Sequence, residues 1–323
     1  MHTHCALTTA TTGLTAPTPL TPTTPPTAHS SARLPAADLQ HLPINRFGRR
    51  TQAMRSAVPL TEDQMRRVAP SIFAEGKHAS RSERYSYIPT IDVLRSLRKE
   101  GLAPFMVAQG GSRIAGKAEF TKHLIRMRPV CGEADFANAR PEAHEVVLIN
   151  SHDGVSSYQI YSGIFRVVCL NGLVVGTVAQ GLRVPHKGKI EDTVIEGAIR
   201  VLDDVGAVTE SVEGMKAIVL SQCEEHAFAS AALSLRYGDA VEGQPPAPID
   251  ATRLIEPRRV EDVGHSLWLN LQRTQEHLLR GGQRGRSAQG RRLQTRPIGG
   301  IDRGVSLNRA LWNLAEGMRR LKA

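Results

Sequence analysis

Aromatic residues make up only 4% of this 323-residue sequence, so its core has to be built from Val, Ile, Leu and Ala. Cysteine is scarce too: Cys5, Cys131, Cys169 and Cys223 stand far apart and form no CxxC pair. That excludes a zinc ribbon and a thioredoxin-like motif, and it fits free thiols in a reducing compartment. Cys223 and His226 are one helical turn apart, but no second pair stands nearby. They read as a buried thiol and its neighbour, and no metal or other cofactor is expected. No apolar run reaches the ~18 residues that a membrane-spanning helix needs. Residues 1–30 hold neither Lys nor Arg and no apolar segment of the secretory kind. A cytoplasmic protein without a membrane partner is the expectation.

What is present is ordinary globular composition with a cationic excess. Hydrophobic residues are 41% and charged residues 22% of the chain. Lys and Arg number 41 against 31 Asp and Glu, a net charge of +10. Such a balance favours polyanionic partners such as nucleic acid or an anionic membrane surface. Residues 1–30 are mostly Thr, Pro, Ala and Leu, too poor in large apolar groups to offset the entropy of ordering. They are expected to be disordered, and Met54 is a candidate alternative start. A loose basic lead-in follows, with Arg46, Arg49, Arg50 and Arg55.

Order is expected from about Thr61. Thr61 and Gln64 form a capping box for a short helix. Arg84–Pro89 is extended, and Thr90 caps a helix that Gly101 ends. Pro104–Gln109, Glu119–Arg128, Glu145–Asn150 and Ser156–Gly163 read as strands. Ile164–Leu170 reads as helical, closed by Asn171-Gly172. Helices follow over Ile190–Asp204, through Met215–Leu220, and from the Ser221/Glu224 capping box to about Tyr237. Gly238–Asp250, with three prolines, is a linker. Val260–Arg280 and Ser306–Leu321 are helices, separated by a Gly/Arg loop over Gly281–Pro297. The fold class is therefore α+β: an antiparallel sheet in the first half packed with helices, and a mainly helical second half. The domain limits are 1–55 for the lead-in, 56–238 for the core, 239–252 for the linker and 253–323 for a basic helical region packing on the core.

Four features bear on chemistry. Gly111 to Lys117 fits G-x-x-x-x-G-K, but Ala118 stands where a P-loop needs Ser or Thr, and a strand is expected where it needs a helix. A simple turn with basic flanks suits it better. Lys117, Lys122, Arg126 and Arg128 form a basic β segment. The last three share a parity, so a strand would aim them at one face, with Tyr85 and Tyr87 available to stack on bases. The same pattern also suits a half-buried strand with a solvated outer face. From Ile255 to Ala323 there are 14 Lys and Arg against 6 Asp and Glu. Arg284, Arg286, Arg291, Arg292 and Arg296 fall there in an acid-free stretch suited to phosphate contacts, or to a plain solvated loop. Finally, Asn150-Ser-His152-Asp153-Gly154 places polar groups after a strand. His152 and Asp153, with Arg166, are the candidate residues for a hydrolase or nuclease, against an ordinary Asx-type turn.

The order of Arg84-Tyr-Ser-Tyr-Ile-Pro-Thr90, Glu145-Val-Val-Leu-Ile-Asn-Ser-His-Asp-Gly154, Ile164-Phe-Arg-Val-Val-Cys-Leu-Asn-Gly172 and Leu267-Trp-Leu-Asn-Leu-Gln-Arg-Thr-Gln-Glu276 resembles the phage/plasmid-related family grouped as domain of unknown function 932. The resemblance spans about residues 80–320 and implies carriage on mobile elements. It implies no catalytic residue and no cofactor. With the cationic surfaces, it leads to the expectation of an accessory protein that binds single-stranded DNA in recombination or annealing, more a binding protein than an enzyme. A homo-oligomer is compatible with this. A protein–protein module inhibiting a host defence factor, and a hydrolase at His152, are the alternatives.

Overall fold

Apolar and β-branched runs drive the first half of the chain into strands, and capped amphipathic segments drive the second half into helices. The computed structural model describes residues 51–79, 87–114, 116–130, 142–166, 171–175, 182–186, 190–239, 247–287 and 289–322. In chain order the elements are β1 (Thr51–Arg55), α1 (Glu62–Val68), α2 (Thr90–Lys99), β2 (Leu102–Gly110), β3 (His123–Pro129), β4 (Glu142–Asn150), β5 (Tyr158–Arg166), β6 (Asn171–Val174) and β7 (Leu182–Val184). Then come α3 (Ile190–Asp203), α4 (Val205–Ala217), α5 (Gln222–Tyr237), α6 (Thr252–Ile255), α7 (Leu267–Arg280), β8 (Arg284–Arg286), β9 (Arg292–Gln294) and α8 (Ile301–Lys322). The fold is α+β.

Strands β1 to β6 pair in sequence order, every pair antiparallel, and β7 joins the free edge of β5 beside β6. Side chains of alternate parity go to opposite faces. Val107, Ile125, Met127, Val146, Leu148 and Ile160 face α1, α2 and α3, meeting Met65, Leu94, Leu97 and Val194. Met106, Ala108, Leu124, Val147, Ile149 and Tyr161 face the other way and meet Val305 and Ile301 of α8. A third cluster joins the β5–β6 end of the sheet to the helices, with Phe228, Leu254, Trp268, Leu271, Leu311 and Trp312 inside it. Helices on either side of residues 239–252 thus share one core.

Several sequence expectations need correction. Thr51–Arg55, placed in the loose lead-in, is the edge strand β1, paired with β2 from Thr51↔Gly110 to Arg55↔Met106. Its Arg55 disguised it, because that guanidinium is buried and held by Met106 Sδ at 3.3 Å and the Phe165 ring at 5.0 Å. Ile164–Arg166, expected to open a helix, continues β5; residues 167–170 lie outside the described set. Both faces of the sheet are covered there, so Ile164, Phe165 and Arg166 are all buried and the alternation of apolar and polar residues is lost. Asn171-Gly172 does not close an element but opens β6. The strand expected from Glu119 starts at His123, after a short 3-10 turn over Ala118–Phe120. Val260–Arg280 is broken: α7 starts at Leu267, where Ser266 accepts the N–H of Leu269 at 3.2 Å. The Gly281–Pro297 loop contains the hairpin β8–β9. The capping boxes at Thr61 and Ser221, and the end of α2 at Gly101 with φ +81°, match the sequence reading. Among the described residues no helix is long and apolar enough to cross a membrane.

Candidate nucleic-acid interface

Lys122, Arg126 and Arg128 do share one side of the sheet, but that side is not open. Arg126 and Arg128 stand with Leu124 on the side covered by α8. Arg126 Nη1 is 2.7 Å from Glu145 Oε2, and its Nη2 donates to the Gly172 carbonyl at 2.8 Å. Arg128 Nε is 3.0 Å from Glu145 Oε1, and its guanidinium lies between the rings of Phe105 and Phe165. Burial would push the Glu145 carboxyl up, but Arg126, Arg128 and Arg55 outweigh that and hold it below the usual range. The pKa of Arg55 falls to about 9, through burial and then through Arg126. Lys122 grips both carboxylate oxygens of Asp302, at 2.7 and 2.8 Å. Lys117 is 3.3 Å from Asp153, and only a 3-10 turn of three residues follows it where a P-loop needs an α-helix, so the P-loop resemblance ends in an ion pair. Tyr85 lies outside the described residues. Tyr87 is half-buried and donates to the Ala74 carbonyl, with its ring tilted on His152.

The tail arginines are placed differently. Arg284, Arg286, Arg291 and Arg292 are exposed on the β8–β9 hairpin, and none of them has an acidic partner among the described residues. The hairpin is anchored through its backbone, not by its arginine side chains: the Arg286 N–H donates to the Pro248 carbonyl at 2.9 Å near the turn, and the Gly282 N–H to the Thr295 carbonyl at 2.8 Å at the base. The chain leaving β9 runs along a cleft of about 1270 Å³. Gly110, Lys122 and Asp153 come from the sheet side of that cleft; Arg236, Tyr237, Arg296 and Arg303 come from the helical side. Arg236 and Tyr237 close one expected helix and Arg303 precedes another, far away in the chain, so no local pattern marks them and only folding gathers them.

His152 belongs to a second polar cluster. Arg166 does not: it sits at the far end of β5, buried against Asp262 at 2.5 Å. Arg166 is eight residue steps along the strand from Tyr158, about 26 Å. Thr90 does not cap α2, whose N-cap is Pro89. Its hydroxyl instead lies 3.0 Å from His123 Nε2, 3.1 Å from His152 Nε2 and 3.0 Å from Asn150 Nδ2. Ser71 Oγ donates to Gln109 Oε1 at 2.8 Å, so it must accept from His123 Nδ1 at 2.8 Å. His123 Nε2 is then a lone pair and accepts from Thr90. Thr90 in turn accepts from His152 Nε2–H. His152 Nδ1 is left as a lone pair, buried and without a hydrogen-bond partner among the described residues. Burial, and then the neighbouring His186, lowers the His152 pKa to about 4; burial, and then His152, puts His123 well below its ordinary value. Cys223 is exposed rather than buried, and no group of three metal-ligating side chains occurs among the described residues.

A family model described as "Domain of unknown function (DUF932)" matches residues 77–312. The UPF0380 protein YafZ of Escherichia coli (strain K12) is 44% identical over 274 residues, covering 85% of this chain and 96% of that protein. The UPF0380 protein YfjQ of the same strain is 44% identical over 272 residues, covering 84% of this chain and 96% of that protein. No solved structure matches.

Proposed function

The chain belongs to the family described as domain of unknown function 932, and on that premise we propose that it is a mobile-element accessory protein that binds single-stranded DNA. The mobile-element setting rests on the motif resemblance alone. The observation that carries the binding reading is the contrast between two sets of cations. Arg126, Arg128 and Lys122 have internal carboxylate partners, so they hold the fold together. Arg284, Arg286, Arg291 and Arg292 have none among the described residues and project from a hairpin that leads into a cleft. Unneutralised cations beside a channel suit a phosphate backbone, which they would bind with little sequence preference.

The test is anisotropy of a labelled oligo-dT with the full chain over a salt series. Changing the four hairpin arginines to Gln should weaken binding and reduce the log–log salt slope by about 3, from ~0.7 per phosphate contact on a single strand. The hairpin packs through its backbone, so the fold should survive. Absence of wild-type binding at ~50 mM salt, where phosphate contacts are strongest, would sink the reading.

One observation favours a second reading, hydrolysis at His152. The hydrogen-bonded chain from Gln109 through Ser71, His123 and Thr90 fixes the His152 tautomer and leaves Nδ1 as an acceptor, as an oriented general base requires. On this reading, His152→Ala abolishes nuclease or esterase turnover while the circular-dichroism spectrum is kept. Turnover that survives the substitution would remove His152 from any catalytic role.

A further inference from the structure

We propose that the cleft contains a phosphate-group subsite built on Arg236 and Tyr237, flanked by Arg296 and Arg303. The inference deepens the nucleic-acid reading and rests on it for the source of the phosphate, a single-stranded DNA backbone.

Arg236 and Tyr237 are the last two residues of α5, and both line the cleft. Arg236 Nη2 donates to the Arg296 carbonyl, which ties the guanidinium to the strand leaving β9. Its Nη1 is buried and meets no acceptor among the described residues. The Tyr237 hydroxyl is likewise buried without a partner there, and the Arg236 guanidinium lies 5.0 Å from the centre of its ring. Two adjacent donors withdrawn from water with nothing to donate to are costly unless an acceptor arrives. Burial lowers the Arg236 pKa and raises that of Tyr237, as expected of groups whose desolvation is not compensated.

The charges around them select the acceptor's sign. Arg296 and Arg303 line the same cleft, exposed and without acidic partners among the described residues. The two carboxylates on the lining are already engaged, Asp153 by Lys117 and Asp302 by Lys122. The arginine side therefore has no counterion among the described residues. A planar guanidinium edge beside a hydroxyl donor matches the oxygens of a phosphate, which accept from both at once.

The experiment uses the full chain and two probes, inorganic pyrophosphate followed by calorimetry and labelled oligo-dT followed by anisotropy. Tyr237→Phe removes only the hydroxyl and keeps the ring in the helical core. Arg236→Lys keeps the charge and removes the forked geometry. Each should weaken pyrophosphate binding by about tenfold, the loss expected for a hydrogen bond to a charged group. Failure of pyrophosphate to bind the wild-type chain at millimolar concentration, or equal binding by both variants, overturns the subsite. The oligonucleotide arm separates the two proposals. Oligo-dT binding that the variants leave intact leaves the single-strand reading standing without this subsite. Pyrophosphate binding that both variants weaken, with no oligo-dT binding, establishes the subsite and removes the DNA backbone as its source.

Discussion

Buried histidines record most directly how residue chemistry and fold are coupled in this protein. His123 and His152 are enclosed around the Thr90 hydroxyl, which has four polar neighbours at hydrogen-bond distance, the two imidazoles, Asn150 and the Tyr158 hydroxyl. Both must be neutral for the donor–acceptor pattern to close. In the unfolded chain each takes an ordinary pKa near ~6.5. Folding depresses both, to about 4 for His152. Between those values the unfolded chain binds more protons, so stability rises with pH across the window. It is complete above ~6.5 and is lost as pH falls toward ~4. From His152 alone the loss is on the order of 3 kcal/mol. Urea midpoints measured from pH 7 down to pH 4.5 should fall steadily, and less steeply in His152→Gln. A midpoint that stays level over this range would mean that these imidazoles can charge within the fold. Little of this was legible beforehand. His152 stood out in the sequence only as part of a polar turn, and His123 only as the partner parity of the basic strand. Their meeting at Thr90 joins α2, β3 and the turn after β4, which no local pattern encodes.

Among the elements, the β8–β9 hairpin is the one whose role is hardest to read locally. Its Gly and Arg content suits a loop, since neither residue favours strands. What makes it a hairpin is docking: Gly285 lies so close to the chain at Pro248 that a Cβ on it would meet the Pro248 carbonyl oxygen at 1.9 Å. Gly285→Ala should therefore force the hairpin off its seat, at a local cost of about 1–3 kcal/mol. Hydrogen exchange would register this as lost protection of the Arg286 and Thr295 amides, with β2 to β5 unchanged. Oligonucleotide affinity should fall with it. Retained protection at Arg286 would show that the Pro248 segment yields at no cost. β5 teaches the reverse lesson. It was read correctly up to Gly163 and then as helix, because burial on both faces erases the alternation that identifies a strand.

At the scale of the molecule, the net charge of +10 spoke for a polyanionic partner, while the fold divides the cations between two tasks. Arg126 and Arg128 of β3 neutralise Glu145, and Lys122 just before it neutralises Asp302, which holds the sheet to its neighbours; the arginines of the tail hairpin and of the cleft have no acid to neutralise among the described residues. Legible in the residues alone are the α+β class, two capping boxes, the positions of the central strands and the family, because these follow from short-range periodicity, cap chemistry and linear motifs. The tertiary structure alone decided which face of the sheet is covered, which arginines are spent on internal ion pairs, and that Arg236, Tyr237, Arg296 and Arg303 share one cleft. Those are properties of residues far apart in the chain, and charge and hydropathy along a line carry no information about which of them meet.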